Sequence, residues 1–161
     1  VTELTPDERE FVDRMGLWME KFGGPRMSGL IYGWLLICDP PHQSITEIAT
    51  TLGVSKASIS TVIRPLQEAG MVERVPVANR QHHYRLSPGG FTHIMRTQLA
   101  YVQASTETLE FGLSVIGNDP ARRERLEDVR EFFRFMETET EAFMERWESF
   151  RQREPSKRSQ R

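Results

Sequence analysis

The chain carries almost no thiol chemistry. Cys38 is the one cysteine in 161 residues and lies in the apolar run GLIYGWLLIC, which excludes a disulfide framework and a thiolate cluster. With a single cysteine the expected setting is reducing, hence cytoplasmic. Long hydrophobic runs are lacking too. No apolar segment reaches the length that crosses a bilayer, and the opening VTELTPDERE is acidic and polar, unlike a secretory signal, so a soluble intracellular protein is expected. Charge of one sign is not in excess. The formal net charge of −2 excludes a globally basic coat for nucleic acid, yet it permits a local basic face. A phosphate-cradling glycine loop is also missing, because Gly23-Gly24 and Gly89-Gly90 are isolated pairs at helix boundaries. His82 and His83 point to opposite faces of one strand, and His42, His93 and Cys38 are scattered elsewhere, so no metal-ligand spacing results. No Ser/His/Asp or Cys/His constellation can be placed together. Neither an enzyme nor a cofactor nor a metal is expected.

What is present is unevenly distributed charge and clear helical periodicity. Residues 44–90 hold five Lys/Arg against three Asp/Glu, whereas residues 107–154 hold thirteen acids against eight bases. Only the middle of the chain suits an anionic polymer. A first helix opens at Thr5, with Pro6 at its first position and Thr5/Glu8 at capping-box spacing. Its apolar stripe is Phe11, Met15, Trp18 and Phe22, stopped by Gly23-Gly24. A second, nearly all-apolar helix runs from Pro25-Arg26 through Ile31, Trp34, Leu35 and Ile37 to Asp39-Pro-Pro, which places it inside the domain.

Two short helices follow. Thr46 is the expected cap of EIATTL, with Ile48, Ala49 and Leu52 inward; Gly53 turns the chain, and Ser55 caps a helix continuing to Gly70. That pair reads as a helix-turn-helix. The second helix has an odd outer face. Ile59, Ile63 and Leu66 point one way, while Ala57, Thr61, Arg64 and Glu68 point roughly opposite, with Ser58 and Ser60 on the flanks. A major groove admits a helix with such a slim leading face, where hydroxyls meet phosphates or base edges and Lys or Arg adds charge and guanine contacts. The same face also suits the solvated side of an ordinary helical domain. The next segment favours the groove: MVERV and HHYRL each alternate with a period of two around the turn-rich PVANRQ, giving a hairpin wing. Arg80, near the wing tip, is the candidate for a narrow minor groove, with Asn79 helping the turn and His82 beside it. Arg74 and Arg85 lie nearer the hairpin base, where phosphate and intramolecular carboxylate are both open to them.

Ser87 is the expected cap of a further helix, with Pro88 at its first position, running to Gly117-Asn118. Asp119-Pro120 caps the last. There Leu126, Val129, Phe133, Met136, Thr140, Phe143, Trp147 and Phe150 alternate spacings of three and four, a heptad seam. The fold expected is mainly α: a winged helix-turn-helix over 39–90, helices for dimerisation and core over 1–38, long dimerisation helices over 91–153, and a disordered tail over 154–161.

The segment ITEIATTLGVSKASISTVIRPLQEAGMVERVPVANRQHHYRLSPGG resembles the winged helix-turn-helix of MarR-type regulators, and its part GVSKASISTVIRPLQEAGMVER is most similar to the GbsR-like branch. The resemblance covers 44–90 strongly and the flanking helices by architecture alone. It implies a homodimeric repressor that binds a palindromic operator and is often released by a small molecule. By match of motif it puts the recognition role on Ser55, Lys56, Ala57, Ser58, Ser60, Thr61 and Arg64, and the wing role on Arg80. The tip VPVANRQ departs from the acidic-basic tip common in such proteins, which makes the major-groove role the firmer of the two.

A single recognition helix contacts few base pairs, so such modules pair to reach successive major grooves of an inverted-repeat operator. The expected dimer surfaces are Phe11, Met15, Trp18 and Phe22 together with Val129, Phe133, Met136, Phe143, Trp147 and Phe150. They could cover each other within one chain or across a two-fold axis. Trp18, Trp34, Tyr101 and Trp147 are candidate walls of an effector pocket. The GbsR-like resemblance adds choline-type ligands, which aromatic faces hold by cation–π attraction; core packing is the plainer role for the same rings. The competing function is a winged-helix module that binds another protein and prefers no DNA sequence.

Overall fold

The computed structural model describes residues 3–77 and 82–153. In chain order they form α1 (Pro6–Lys21), α2 (Arg26–Ile37), β1 (Gln43–Ser44), α3 (Ile45–Leu52), α4 (Lys56–Glu68), β2 (Val72–Pro76), β3 (His82–Leu86), α5 (Gly90–Val115) and α6 (Pro120–Arg153). The expected mainly α winged helix-turn-helix is present, with one strand more than the sequence pattern shows. The tail over 154–161 lies outside the described residues. Two compact units result, one up to His93 and one from Ile94 onward.

α1 begins as its sequence dictates. Thr5 Oγ1 accepts the Glu8 N–H at 3.3 Å, and Glu8 Oε2 accepts the Thr5 N–H at 2.8 Å, satisfying two helix-end donors reciprocally. The Thr5 backbone N–H, then its hydroxyl, holds the Glu8 carboxyl below its ordinary range. The face of α1 buried on α2 is Val12 and Gly16, with Met15 half-buried beside them; Phe11 and Phe22 are exposed. The crossing is close because glycines line it. A Cβ on Gly29 would stand 2.3 Å from the Met15 carbonyl oxygen, and one on Gly33 would stand 2.8 Å from the Met15 Cβ. Ile31, Trp34 and Leu35 on α2, Ile48 on α3, Ile59, Ile63 and Leu66 on α4, and Val72 on β2 complete this unit's core.

The cap of α3 is Ser44, not Thr46. Ser44 Oγ accepts the Glu47 N–H at 3.2 Å, while Glu47 Oε2 accepts the Ser44 N–H at 2.6 Å. Ser44 can do this because it is already fixed in β1, opposite His83 of β3. Two residues are too few to show an alternation, so β1 leaves no periodic trace in the sequence. The sheet is antiparallel in the order β1-β3-β2, with Val72 opposite Leu86 and Pro76 opposite His82. Burial alone would raise the Glu47 pKa. The N–H and hydroxyl of Ser44, with His83 and His42 nearby, outweigh that and hold it below its ordinary 4.5. A carboxylate favoured in the fold adds stability above its unfolded pKa and loses it as pH falls through the lower folded value. Denaturant titrations should therefore show Glu47→Gln less stable than wild type near neutrality, with the gap closing as the pH is taken below about 4.

Gly53 closes α3 in the left-handed region at φ 68°, a conformation glycine adopts without strain, and the Val54 N–H donates to the Ala49 carbonyl at 2.9 Å. Ser55 then caps α4, its Oγ accepting the Ser58 N–H at 3.1 Å. α4 runs on through Pro65 to Glu68. The expected helix start at Ser87-Pro88 is also corrected. The Ser87 N–H donates to the Met71 carbonyl at 2.9 Å, tying Ser87 to the sheet end, and the Gly90 N–H closes a turn onto the Ser87 carbonyl at 3.0 Å. Pro88 occupies that turn, whose φ it fits as well as a first helical turn, and α5 starts at Gly90.

In the second unit α5 and α6 run antiparallel. Gln103 Nε2 donates to Glu141 at 3.2 Å, and the guanidinium of Arg96 meets Glu148. Asp119 Oδ1 accepts the Arg122 N–H at 3.1 Å, capping α6 as expected, and Arg123 returns to the Leu113 and Gly117 carbonyls at the end of α5. Thr106, Leu113 and Met144 are buried here. Most of the apolar surface is not. Phe111, Val115, Val129, Phe132, Phe135, Phe143, Trp147 and Phe150 are all exposed. No helix is long and apolar enough to cross a membrane among the described residues.

Candidate nucleic-acid interface

α4 is held by one side and leaves the other open. Ile59 is fully buried, Ile63 and Leu66 nearly so, and Val62 half-buried, which anchors a helix of modest intrinsic propensity. Ser55, Lys56, Ala57, Ser58, Ser60, Thr61 and Arg64 are all exposed, as sequence reasoning places them. Their hydrogen bonding is partly internal. Ser55 and Ser58 share a hydroxyl–hydroxyl bond of 2.8 Å, and the Thr61 hydroxyl donates to the Ala57 carbonyl at 3.0 Å. Arg64 Nε donates to Glu68 Oε1 at 2.9 Å, one turn further along the same open face. The face thus offers one lysine, one buttressed arginine and short side chains.

The wing joins the same unit through β1 and β2. Tyr84 of β3 is buried, so β3 turns one side to the core and the other outward. By register Arg74 and His82 share the Tyr84 side of the sheet, and at the exposed wing end of that side the Arg74 guanidinium lies against the His82 ring. Arg85 Nε donates to Glu73 Oε1 at 2.6 Å, so of the two partners open to Arg85 the intramolecular carboxylate is taken. Asn79 and Arg80, the residues expected at the wing tip, lie outside the described residues. The cations positioned here are therefore Lys56, Arg64, Arg74 and Arg85, two of them already facing carboxylates.

His42 is not isolated from the other histidines, contrary to the sequence reading. The β1–β3 pairing brings its Nδ1 to 3.0 Å from the Nδ1 of His83, with Glu47 Oε2 3.9 Å from the latter. This pairing was hidden because it depends on the two-residue strand. Sequence reasoning likewise missed Phe111, Phe132 and Phe135, which lie off the heptad seam yet are more than half exposed, at 68%, 58% and 64%. The aromatic quartet assigned to an effector is distributed over both units. In the first, Trp18 packs 4.7 Å from Phe22 and 5.8 Å from Phe91, and Trp34 is 2% exposed; in the second, Tyr101 and Trp147 are exposed. A groove of about 410 Å³ in the second unit is lined by Met95, Leu99, Val102, Phe135, Met136 and Phe143 and by none of that quartet. Burial pushes the Cys38 thiol up to about 11, which makes it inert near neutrality.

Known proteins with similar sequences bear on this geometry. The family model for an MmpR5-like MarR family transcriptional regulator matches residues 89–152, and the MarR family model matches residues 36–81. The HTH-type transcriptional regulator MmpR5 of Mycobacterium tuberculosis (strain ATCC 25618 / H37Rv) is 37% identical over 134 residues, which cover 82% of this chain and 81% of that protein. The putative HTH-type transcriptional regulator YvaV of Bacillus subtilis (strain 168) is 29% identical over 75 residues, covering 47% and 42% respectively. A crystal structure of a transcriptional regulator aligns with a TM-score of 0.74 and 35% identity, over 89% of this chain and 99% of the other.

Proposed function

The chain belongs to the MarR family of transcriptional regulators, in its MmpR5-like group, and is not an enzyme; from that premise we propose that it is a homodimeric, sequence-specific DNA-binding repressor released by a small-molecule effector. The observation that carries the reading is the open face of α4, narrow and hydroxyl-rich, on a helix whose opposite face is locked into the core. Two copies would place two such helices in successive major grooves of an inverted repeat. The apolar rings left exposed on α5 and α6 supply the surface for the pairing, and the acidic charge of that region keeps it away from the duplex. The cytoplasm is the corresponding site of action. Kinship with the GbsR-like branch, resting on residues 53–74, belongs to the same proposal.

Fluorescence anisotropy against the gene's own upstream region, with unrelated duplex as competitor, tests it. Affinity is expected to fall steeply as salt rises, because phosphate contacts release counterions. Arg64→Ala should remove about tenfold from the preference for the specific site, while Arg74→Ala weakens all duplexes evenly. Equal binding of specific and unrelated duplex would instead favour a module that recognises protein.

A further inference from the structure

We propose that the ridge Ala57–Thr61–Arg64 reads a thymine and a guanine in each half-site, and that Glu68 is the positioning residue that fixes how Arg64 meets the guanine. This rests on reading α4 as the helix that enters the major groove.

The three residues lie four and three positions apart on the exposed face of one helix, so they form a row. Thr61 has one hydroxyl proton, and it is engaged by the Ala57 carbonyl at 3.0 Å. What Thr61 can still offer a base is its methyl group and an acceptor lone pair. Ala57, one turn earlier, offers only a methyl. Two methyls on a dry edge match the C5-methyl of thymine, the one apolar group that a base pair shows in the major groove.

Arg64 has two ways to bind guanine bidentately: side-on through Nε and one Nη, or end-on through both Nη groups. Glu68 Oε1 already takes the Nε proton at 2.9 Å, which leaves the end-on fork for O6 and N7. In water an ion pair this exposed contributes little. Inside a groove it sets the direction of the fork. The Glu68 carboxylate also repels neighbouring phosphates, so it lowers affinity for any duplex on which Arg64 finds no guanine. Side chains three positions apart are about 5–6 Å from each other, which places the guanine within one or two base pairs of the thymine.

The full-length chain should be used to select duplexes from a random pool. In the enriched site, each thymine is then replaced singly by deoxyuridine, which removes the methyl alone, and each guanine by 7-deazaguanine, which removes N7. One deoxyuridine per half-site is expected to weaken binding about fourfold, and one 7-deazaguanine about tenfold. Thr61→Ser, which keeps the hydroxyl and loses one of the two methyls, should narrow the difference between thymine and deoxyuridine at that position. Glu68→Ala should strengthen binding to unrelated duplex and shrink the 7-deazaguanine effect, and Glu68→Gln, whose amide oxygen still accepts the Nε proton, should restore that effect. Enriched sites that are indifferent to both replacements, or sensitivities that the variants leave unchanged, overturn this inference while sequence-specific binding stands. Enrichment of no site overturns the groove reading and this inference with it.

Discussion

Gly29→Leu is expected to leave the first unit unfolded, and Gly29→Ala to lower its melting temperature by roughly 10–20 °C. The cause is steric. At the α1–α2 crossing a Cβ on Gly29 would stand 2.3 Å from the Met15 carbonyl oxygen and 2.7 Å from the Gly16 Cα, both backbone atoms that no rotamer change can move away. The helices must separate, and the packing of Val12, Met15 and Ile31 loosens with them. Alanine gains about 1 kcal/mol of helix propensity over glycine, which offsets only part of an overpacking penalty of about 3 kcal/mol or more. Gly112 in α5 is the internal comparison. There a Cβ would meet the Leu126 side chain at 3.6 Å, an ordinary contact, so Gly112→Ala should be neutral or stabilising by up to about 1 kcal/mol. Circular dichroism melts of the three variants decide the matter.

Phe132→Glu combined with Phe135→Glu should leave the proposed dimer monomeric and weaken operator binding by at least about a hundredfold. Both rings are more than half exposed on α6, beside Val129 and Phe143, and the described residues leave this surface open to solvent. Burying a phenylalanine side chain is worth about 1.5–3 kcal/mol, and a two-fold interface repeats every contact. Four carboxylates in its centre would meet desolvation and mutual repulsion. Sedimentation velocity reads the mass, and anisotropy on the same samples reads the operator. A variant that stays dimeric would show that the pairing surface lies elsewhere, for example on α1 around Phe11 and Phe22.

The elements legible in the sequence are those with a long repeat or a strong local cap. Thr5 with Glu8, Gly53, Ser55 and Asp119 each marks its boundary through bonds made within four residues, which is information that a sequence carries locally. The misplaced boundaries share one cause. Thr46 and Ser87-Pro88 are acceptable caps in isolation, but Ser44 is held by pairing with β3 and Ser87 by the Met71 carbonyl, both partners being distant in the chain. The neighbourhood of His42, His83 and Glu47 was illegible for the same reason. At the candidate site, the exposed row of α4 was readable because burial follows the helical period. The engagement of Thr61 by Ala57 and of Arg64 by Glu68 was not, since spacing shows which groups can meet and not which protons are taken.

The open face of α4 is proposed to lie in the major groove. Ser60→Cys places one accessible thiol on that face, while the buried Cys38, with its pKa pushed up to about 11, stays unreactive. An iron chelate tethered at position 60 cleaves whatever strand lies beside it. On the operator duplex two clusters of scission are predicted, one per half-site, with centres about one helical turn apart. Scission spread evenly along a bound duplex, or none at all while the duplex remains bound, would contradict the account.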